Sequence, residues 1–244
     1  MQLPDHRLQE ESKPKSIWSY FYAQRLAAGV VVAFLCAAFF IMSRFSAAIL
    51  IAPTPNLDAN VLMLGSPRCG QCYPVVISRL KTGKVHRILF PAEERKRLEQ
   101  IGVVPPIEEL GKQKLLREGI AADAIDIIEG ACQSEWDVVR SLDVWLNAHP
   151  DQRVRLLCDS FSSRRWRLIV ERSLAAPNLA RVEVEGIVDP RFNESNWWKS
   201  RTGLKGFLYN VFRQEYVRWH GEDRLPTIDW SADKYETAAL EPRR

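Results

Sequence analysis

Five cysteines punctuate the chain, and four of them, Cys69, Cys72, Cys132 and Cys158, fall at or just beyond short apolar, β-rich runs. Cys69-Gly70-Gln71-Cys72 leads into Pro74-Val75-Val76, the strand, C-x-x-C, helix order of dithiol oxidoreductases. A helix amino terminus would lower the pKa of the first thiol and make it a better nucleophile. The same pair could instead close a structural bridge. If all four cysteines met at one sheet edge, their thiolates could also hold zinc or an iron–sulfur cluster. Single ligands from two strands are less distinctive than paired C-x-x-C units, so no metal site is assigned. Cys36 lies in an apolar run and reads as filler.

A second constellation is basic. Asp159-Ser160-Phe161-Ser162-Ser163 is followed by Arg164, Arg165 and Arg167 at an expected helix start. Backbone donors, the helix dipole and guanidinium forks there would suit a phosphate or carboxylate. A serine cap followed by a solvated basic face, with Arg165 or Arg167 paired to Glu171 or another acid, accounts for the same residues. Glu135, in the expected first turn of another helix, is the candidate carboxylate for polar orientation. Gly65, Ser160 and Ser162 are the candidate hydrogen-bonding positions, and Arg164 and Arg165 carry the ligand charge. Lys199 and Arg201 beside Trp197 and Trp198 could extend that surface, with at least one indole expected in the core. His6, His86, His149 and His220 are scattered, and H-E-x-x-H, G-x-S-x-G and Walker A patterns are absent. No catalytic residue and no cofactor is assigned.

Strands must bring these loops together. Apolar β-rich runs at Asn60 to Leu64, Arg87 to Phe90, Ile125 to Ile128, Val154 to Cys158 and Val182 to Val188 alternate with helical patterns. Trp136, Val139, Leu142, Trp145 and Leu146 share one helical face, and Ser134 with Asp137 forms a capping pair. Leu204, Phe207, Leu208, Val211, Phe212 and Trp219 mark a last amphipathic helix. The alternation predicts an α/β, Rossmann-like three-layer domain with a mostly parallel sheet, whose ligand binds outside the carboxyl ends of the strands.

Ahead of this domain, the apolar run Leu26 to Met42 lies between Arg25 and Arg44. Eighteen intervening residues span roughly 27 Å as a helix, close to a hydrocarbon core. One transmembrane helix in the lipid bilayer is expected. Arg7, Lys13, Lys15 and Arg25 precede it and Arg44 follows, which places the amino terminus in the cytoplasm and the domain outside the inner or plasma membrane. The expected organisation is a leader over 1–24, an anchor over 25–45, a linker over 46–57 containing Pro53 and Pro55, a domain over 58–222 and a polar tail over 223–244. A net charge of +4 is too small to argue nucleic-acid binding.

Several segments resemble the SanA/YdcF-like bacterial envelope proteins that carry the domain of unknown function numbered 218. They are Asp58-Ala59-Asn60-Val61-Leu62-Met63-Leu64-Gly65, Gly119-Ile120, Ser134-Glu135-Trp136, Leu156-Leu157-Cys158-Asp159-Ser160-Phe161-Ser162-Ser163-Arg164-Arg165, and Asn196-Trp197-Trp198-Lys199-Ser200-Arg201. The likeness spans about Asp58 to Trp219 and implies a Rossmann-like fold and a role in cell-envelope or surface-polysaccharide maintenance. An anionic small molecule or glycan precursor would be the ligand. The family's first turn is richer in glycine, whereas this one inserts Pro67, Arg68 and two cysteines. Ser162 stands where the family usually has histidine, so that residue's acid–base role is not carried over. Two contrasting classes remain: a membrane-tethered oxidoreductase using Cys69 and Cys72, and a non-catalytic scaffold.

Overall fold

The computed structural model describes residues 25–26, 28–35, 37, 47–53 and 56–222. The chain divides into two compact units, Met1–Ser46 and Ala47–Arg244. In the first, the described residues are helical, and Leu26, Val30, Val31, Val32, Phe34 and Leu35 expose more than half of their surface. Among the described residues no helix is long and apolar enough to cross a membrane. The expected anchor lies partly outside the described residues, and the leader over 1–24 and the tail over 223–244 lie wholly outside them.

The second unit is an α/β fold around five strands: β1 Val61–Leu64, β2 Arg87–Glu93, β3 Ile125–Cys132, β4 Val154–Asp159 and β5 Val182–Ile187. Every pairing is parallel, in the order β3-β2-β1-β4-β5. The expected sheet is thus parallel throughout. Burial on both faces explains why β1 is an unbroken apolar run rather than an alternating one. Its side chains still divide by parity. Val61 and Met63 join one core cluster with Leu89, Leu156 and Cys158, and Leu62 and Leu64 join the opposite cluster with Ile88, Phe90 and Leu157.

Helices cover both faces. On the Leu62 side lie α1, Cys72–Lys81, and α3, Ile107–Arg117, which contribute Tyr73, Val76 and Leu115. A single turn, α2, Arg97–Gln100, precedes α3. The Val61 side is covered by α4, Glu135–Ala148, and α5, Ser163–Ser173, through Trp136, Val139, Leu142, Leu146, Trp166 and Ile169. A turn at α6, Ala176–Leu179, leads into β5, and the long α7, Arg201–His220, packs beside α5. The capping pair of α4 is present: the Asp137 amide donates to Ser134 Oγ at 3.2 Å, and Asp137 Oδ2 accepts from the Ser134 amide at 2.8 Å.

Two expectations change. The segment read as a linker over 46–57 is partly core, because Ala47–Leu50 forms a 3-10 turn whose Ala47 and Leu50 are fully buried with Phe161, Phe192, Trp197 and Phe207. Helix α7 buries Gly203, Phe207, Asn210, Gln214 and Val217, whereas Leu204, Leu208, Phe212 and Trp219 point outward. Of the tryptophan pair, Trp197 is the core ring, stacked on Phe207 with centroids 3.8 Å apart.

Candidate functional site

Strand order reverses between β1 and β4, since the chain leaves β1 for β2 and β3 and returns to the other side of β1 with β4. At such a point the loops leaving two adjacent strands part in opposite directions and leave a crevice. A cavity of about 470 Å³ occupies it. Its wall comes from the turn after β1, the ends of β2 and β3, the start of α4, the passage from β4 into α5, and the side of α7.

Several predicted positions meet there. Gly65, Glu135, Ser162 and Arg165 line the cavity, together with Cys69, Cys132 and Cys158. Two do not. Ser160 is buried beneath the wall, where its carbonyl accepts from Ser163 Oγ at 2.7 Å. Arg164 turns to another surface, where Nη1 donates to the Ile49 carbonyl at 3.3 Å. Successive residues of a helix point about 100° apart, so Arg164 and Arg165 could not both face one crevice.

The roles also differ from those expected. Arg165 is 2% exposed, and all three of its nitrogens are engaged. Nε and Nη2 donate to Glu135 at 2.8 and 2.7 Å, and Nη1 donates to Asn210 Oδ1 at 2.8 Å. This buried fork ties α5 to α4 and α7 and cannot reach a ligand without breaking its pairs. Gly65 is required for packing: a Cβ there would stand 2.9 Å from the Trp166 ring and 3.3 Å from Leu156. Ser162 Oγ donates to the Asp159 carbonyl at 2.8 Å.

Besides the buried Arg165, the cavity wall bears Arg68 and Arg213, with about half of each side chain exposed. Arg68 Nη2 pairs with Glu93 at 2.9 Å, and Arg213 Nη2 stands 3.4 Å from Glu135 while Nη1 donates to the Tyr209 hydroxyl at 3.2 Å. Both guanidinium groups are the exposed members of their pairs, and their carboxylates keep other partners, Glu135 with Arg165 and Glu93 with Ser66, so each arginine can turn to an incoming anion.

Asp159, at the last position of β4, is the carboxylate that sequence reasoning left unassigned. Its Oδ2 accepts from Gln71 Nε2 at 2.7 Å, and its Oδ1 accepts from the Phe161 amide at 3.0 Å. Burial holds its pKa above the ordinary carboxylate value, against the opposing effect of the Phe161 amide, with the charge of Asp189 adding to the rise. A carboxylate ending a strand beside the reversal point was a usable signal. Formally, Arg68, Arg165 and Arg213 balance Glu93, Glu135 and Asp159 around the wall. The amino ends of α1, α4 and α5 add partial positive charge, as Gln71, Ser134, Glu135 and Ser162 at those ends all line the cavity.

Cys69 and Cys72 form a disulfide, with Cα atoms 5.4 Å apart. Cys72 is fully buried as the first residue of α1, while Cys69 is partly exposed in the cavity wall. Tyr73, whose pKa burial pushes up to about 12, donates from its hydroxyl to the Pro67 carbonyl at 2.9 Å and pins the same turn. Cys132 and Cys158 are free and buried, and burial raises the pKa of both thiols. With two sulfurs joined, four thiolates cannot surround one ion, and no cluster able to hold a metal occurs among the described residues.

Compared with known proteins, the chain matches no family model, no curated protein and no solved structure.

Proposed function

We propose that this is a single-pass membrane protein whose α/β domain binds an anionic ligand, of the phosphate or carboxylate class, in the cavity at the carboxyl ends of β1 and β4. One observation carries the reading: Arg68 and Arg213 face a cavity onto which three helix amino ends also converge. Arg68 and Arg213 supply charge, Arg165 positions Glu135, and Asp159 exchanges a proton with the ligand or a bound water. The run Leu26 to Met42 supports the anchor, and the excess of Lys and Arg before it supports an extracytoplasmic domain. The motif likeness to SanA/YdcF-like proteins supports a place in envelope or surface-polysaccharide maintenance, with a glycan precursor as one ligand of the required charge.

The full chain in detergent, screened by thermal shift against inorganic phosphate, pyrophosphate and sugar phosphates, tests this. Stabilisation by at least one oxyanion, weakened at least about tenfold in concentration by Arg213→Ala, is expected, since a charge-assisted contact is worth about 1.5–3 kcal/mol. An equal response from the variant counts against the assignment.

The disulfide favours a second reading, thiol–disulfide exchange. A substrate thiolate would attack Cys69 Sγ, the Cys69–Cys72 bond would break, and Cys72 would leave with a proton. A second substrate thiol would then attack the mixed disulfide, releasing Cys69 as a thiol and leaving the substrate oxidised. Oxidation of a model dithiol peptide that disappears in Cys69→Ser would support it, whereas an unchanged rate would remove it.

A further inference from the structure

Helix α7 carries apolar residues on two opposite faces. One packs on the domain through Phe207 and Val217. On the other, Leu204, Leu208, Phe212 and Trp219 are 42%, 45%, 72% and 78% exposed. At 100° per residue these four fall within an arc of about 80°, with Arg201 and Lys205 in or beside it. Glu215 is the acid on this side, and it accepts from Trp219 Nε1 at 3.2 Å and stands 3.8 Å from Arg218. An outward ridge of large apolar side chains on a long helix marks a surface that meets something apolar.

Along the flank of the ridge runs a groove of about 640 Å³ bearing Arg164, Arg167, Arg172 and Arg218, against Glu171 and Glu215. Ile49 and Pro53 belong to the same groove, and the Ile49 carbonyl accepts from both Arg164 and Gln214. Chain connectivity then limits the occupant. Five Cα steps separate Met42, where the apolar run ends, from Ala47, and whatever their conformation they reach no more than about 18 Å. If the run spans a bilayer, its end at Met42 therefore lies no more than about 18 Å from the Ala47–Leu50 turn, which packs against Phe207 of α7.

We propose that α7 lies on the membrane surface, its Leu204-Leu208-Phe212-Trp219 ridge entering the interfacial layer and the adjoining arginine groove facing anionic lipid headgroups. The inference rests on the anchor reading given above. Aromatic and aliphatic residues flanked by arginine and lysine are the composition such an interface selects. The domain is thereby held in one orientation, and the cavity, whose wall includes Tyr209 and Arg213 of the same helix, opens close to the lipid.

The test uses the full chain in nanodiscs of phosphatidylcholine with or without about 30% phosphatidylglycerol, doped with a phospholipid carrying a photoreactive group on its acyl chain, followed by peptide mapping. The expected result is labelling of the run Leu26 to Met42 and of α7, with α7 labelled at least about tenfold above α3, and more strongly when the anionic lipid is present. Phe212→Glu, and separately Trp219→Ala, should lower α7 labelling several-fold while leaving the run labelled and the thermal midpoint unchanged. A labelled run with α7 at the level of α3 overturns the docking and leaves the anchor standing. An unlabelled run overturns the anchor reading, whatever α7 does. Crosslinks between the α7 helices of two copies in place of lipid adducts assign the ridge to self-association and also overturn the docking.

Discussion

Replacing Glu135 by leucine should be among the most damaging single changes in the domain, because the partner it abandons cannot leave. The Arg165 side chain is 3% exposed and Glu135 is 15% exposed. Without the carboxylate, Nε and Nη2 lose acceptors at 2.8 and 2.7 Å, and only the Asn210 contact remains. Removing one member of a buried pair costs about 3–5 kcal/mol, and partial access of water through the cavity places this case near the lower figure. For a domain of this size, about 3 kcal/mol lowers the unfolding midpoint by roughly 6–12 °C. Arg165→Met should cost less, since Glu135 keeps Arg213 at 3.4 Å and can reach water. The double replacement E135L/R165M exchanges the pair for apolar groups of similar reach and should recover most of the loss, with a coupling of about 2 kcal/mol or more. Urea unfolding of the four proteins, followed by tryptophan fluorescence, gives each value. Single variants within about 0.5 kcal/mol of the native chain, or losses that simply add, would refute the assignment of Arg165 as a positioning residue.

Four further outcomes follow from the same geometry. Gly65→Ala brings a Cβ to 2.9 Å from Trp166, so chemical unfolding should show a loss of about 1–3 kcal/mol, the usual cost of overpacking. Because Asp159 has a raised folded pKa, the native state takes up its proton at a higher pH than the unfolded chain, whose value lies near 3.8. Its contribution to stability therefore grows as pH falls from above the folded pKa toward 3.8, and Asp159→Asn should erase that component of the pH–stability curve. Asp137, whose pKa is lowered, acts in the opposite sense: its stabilisation is present above 3.8 and fades as pH falls below that value. Mass spectrometry after alkylation at neutral pH should leave Cys132 and Cys158 unmodified in the folded protein, and after mild reduction Cys69 should react before the fully buried Cys72.

The sheet was legible in the sequence because the central strands β1, β2 and β4, buried on both faces, are short apolar runs while the edge strand β5 alternates Val with Glu, and each predicted strand overlaps an observed one. The start of α4 was equally plain, since Ser134 and Asp137 meet at a local spacing. Partners brought together by the fold were not. Arg165 finds Glu135 thirty positions away, across two helices, and no spacing rule announces that the candidate ligand residue is already occupied. The buried side of α7 was misread because Gly203, Asn210 and Gln214 earn their burial by close approach and hydrogen bonds, to Arg165 and the Ile49 carbonyl among them. Pro53 and Pro55 suggested a linker, and nothing in their local spacing announces that the apolar residues before them pack into the core with Phe161 and Phe207.

The ligand site itself is most directly examined by crystallography with tungstate, an oxyanion whose anomalous scattering identifies it, over a series of concentrations. An anomalous peak is expected within hydrogen-bond reach of Arg68 or Arg213 near the start of α4, lost in the R68A/R213A protein. A peak confined to the outer arginine groove, or an inner peak that persists in the double variant, would contradict that expectation.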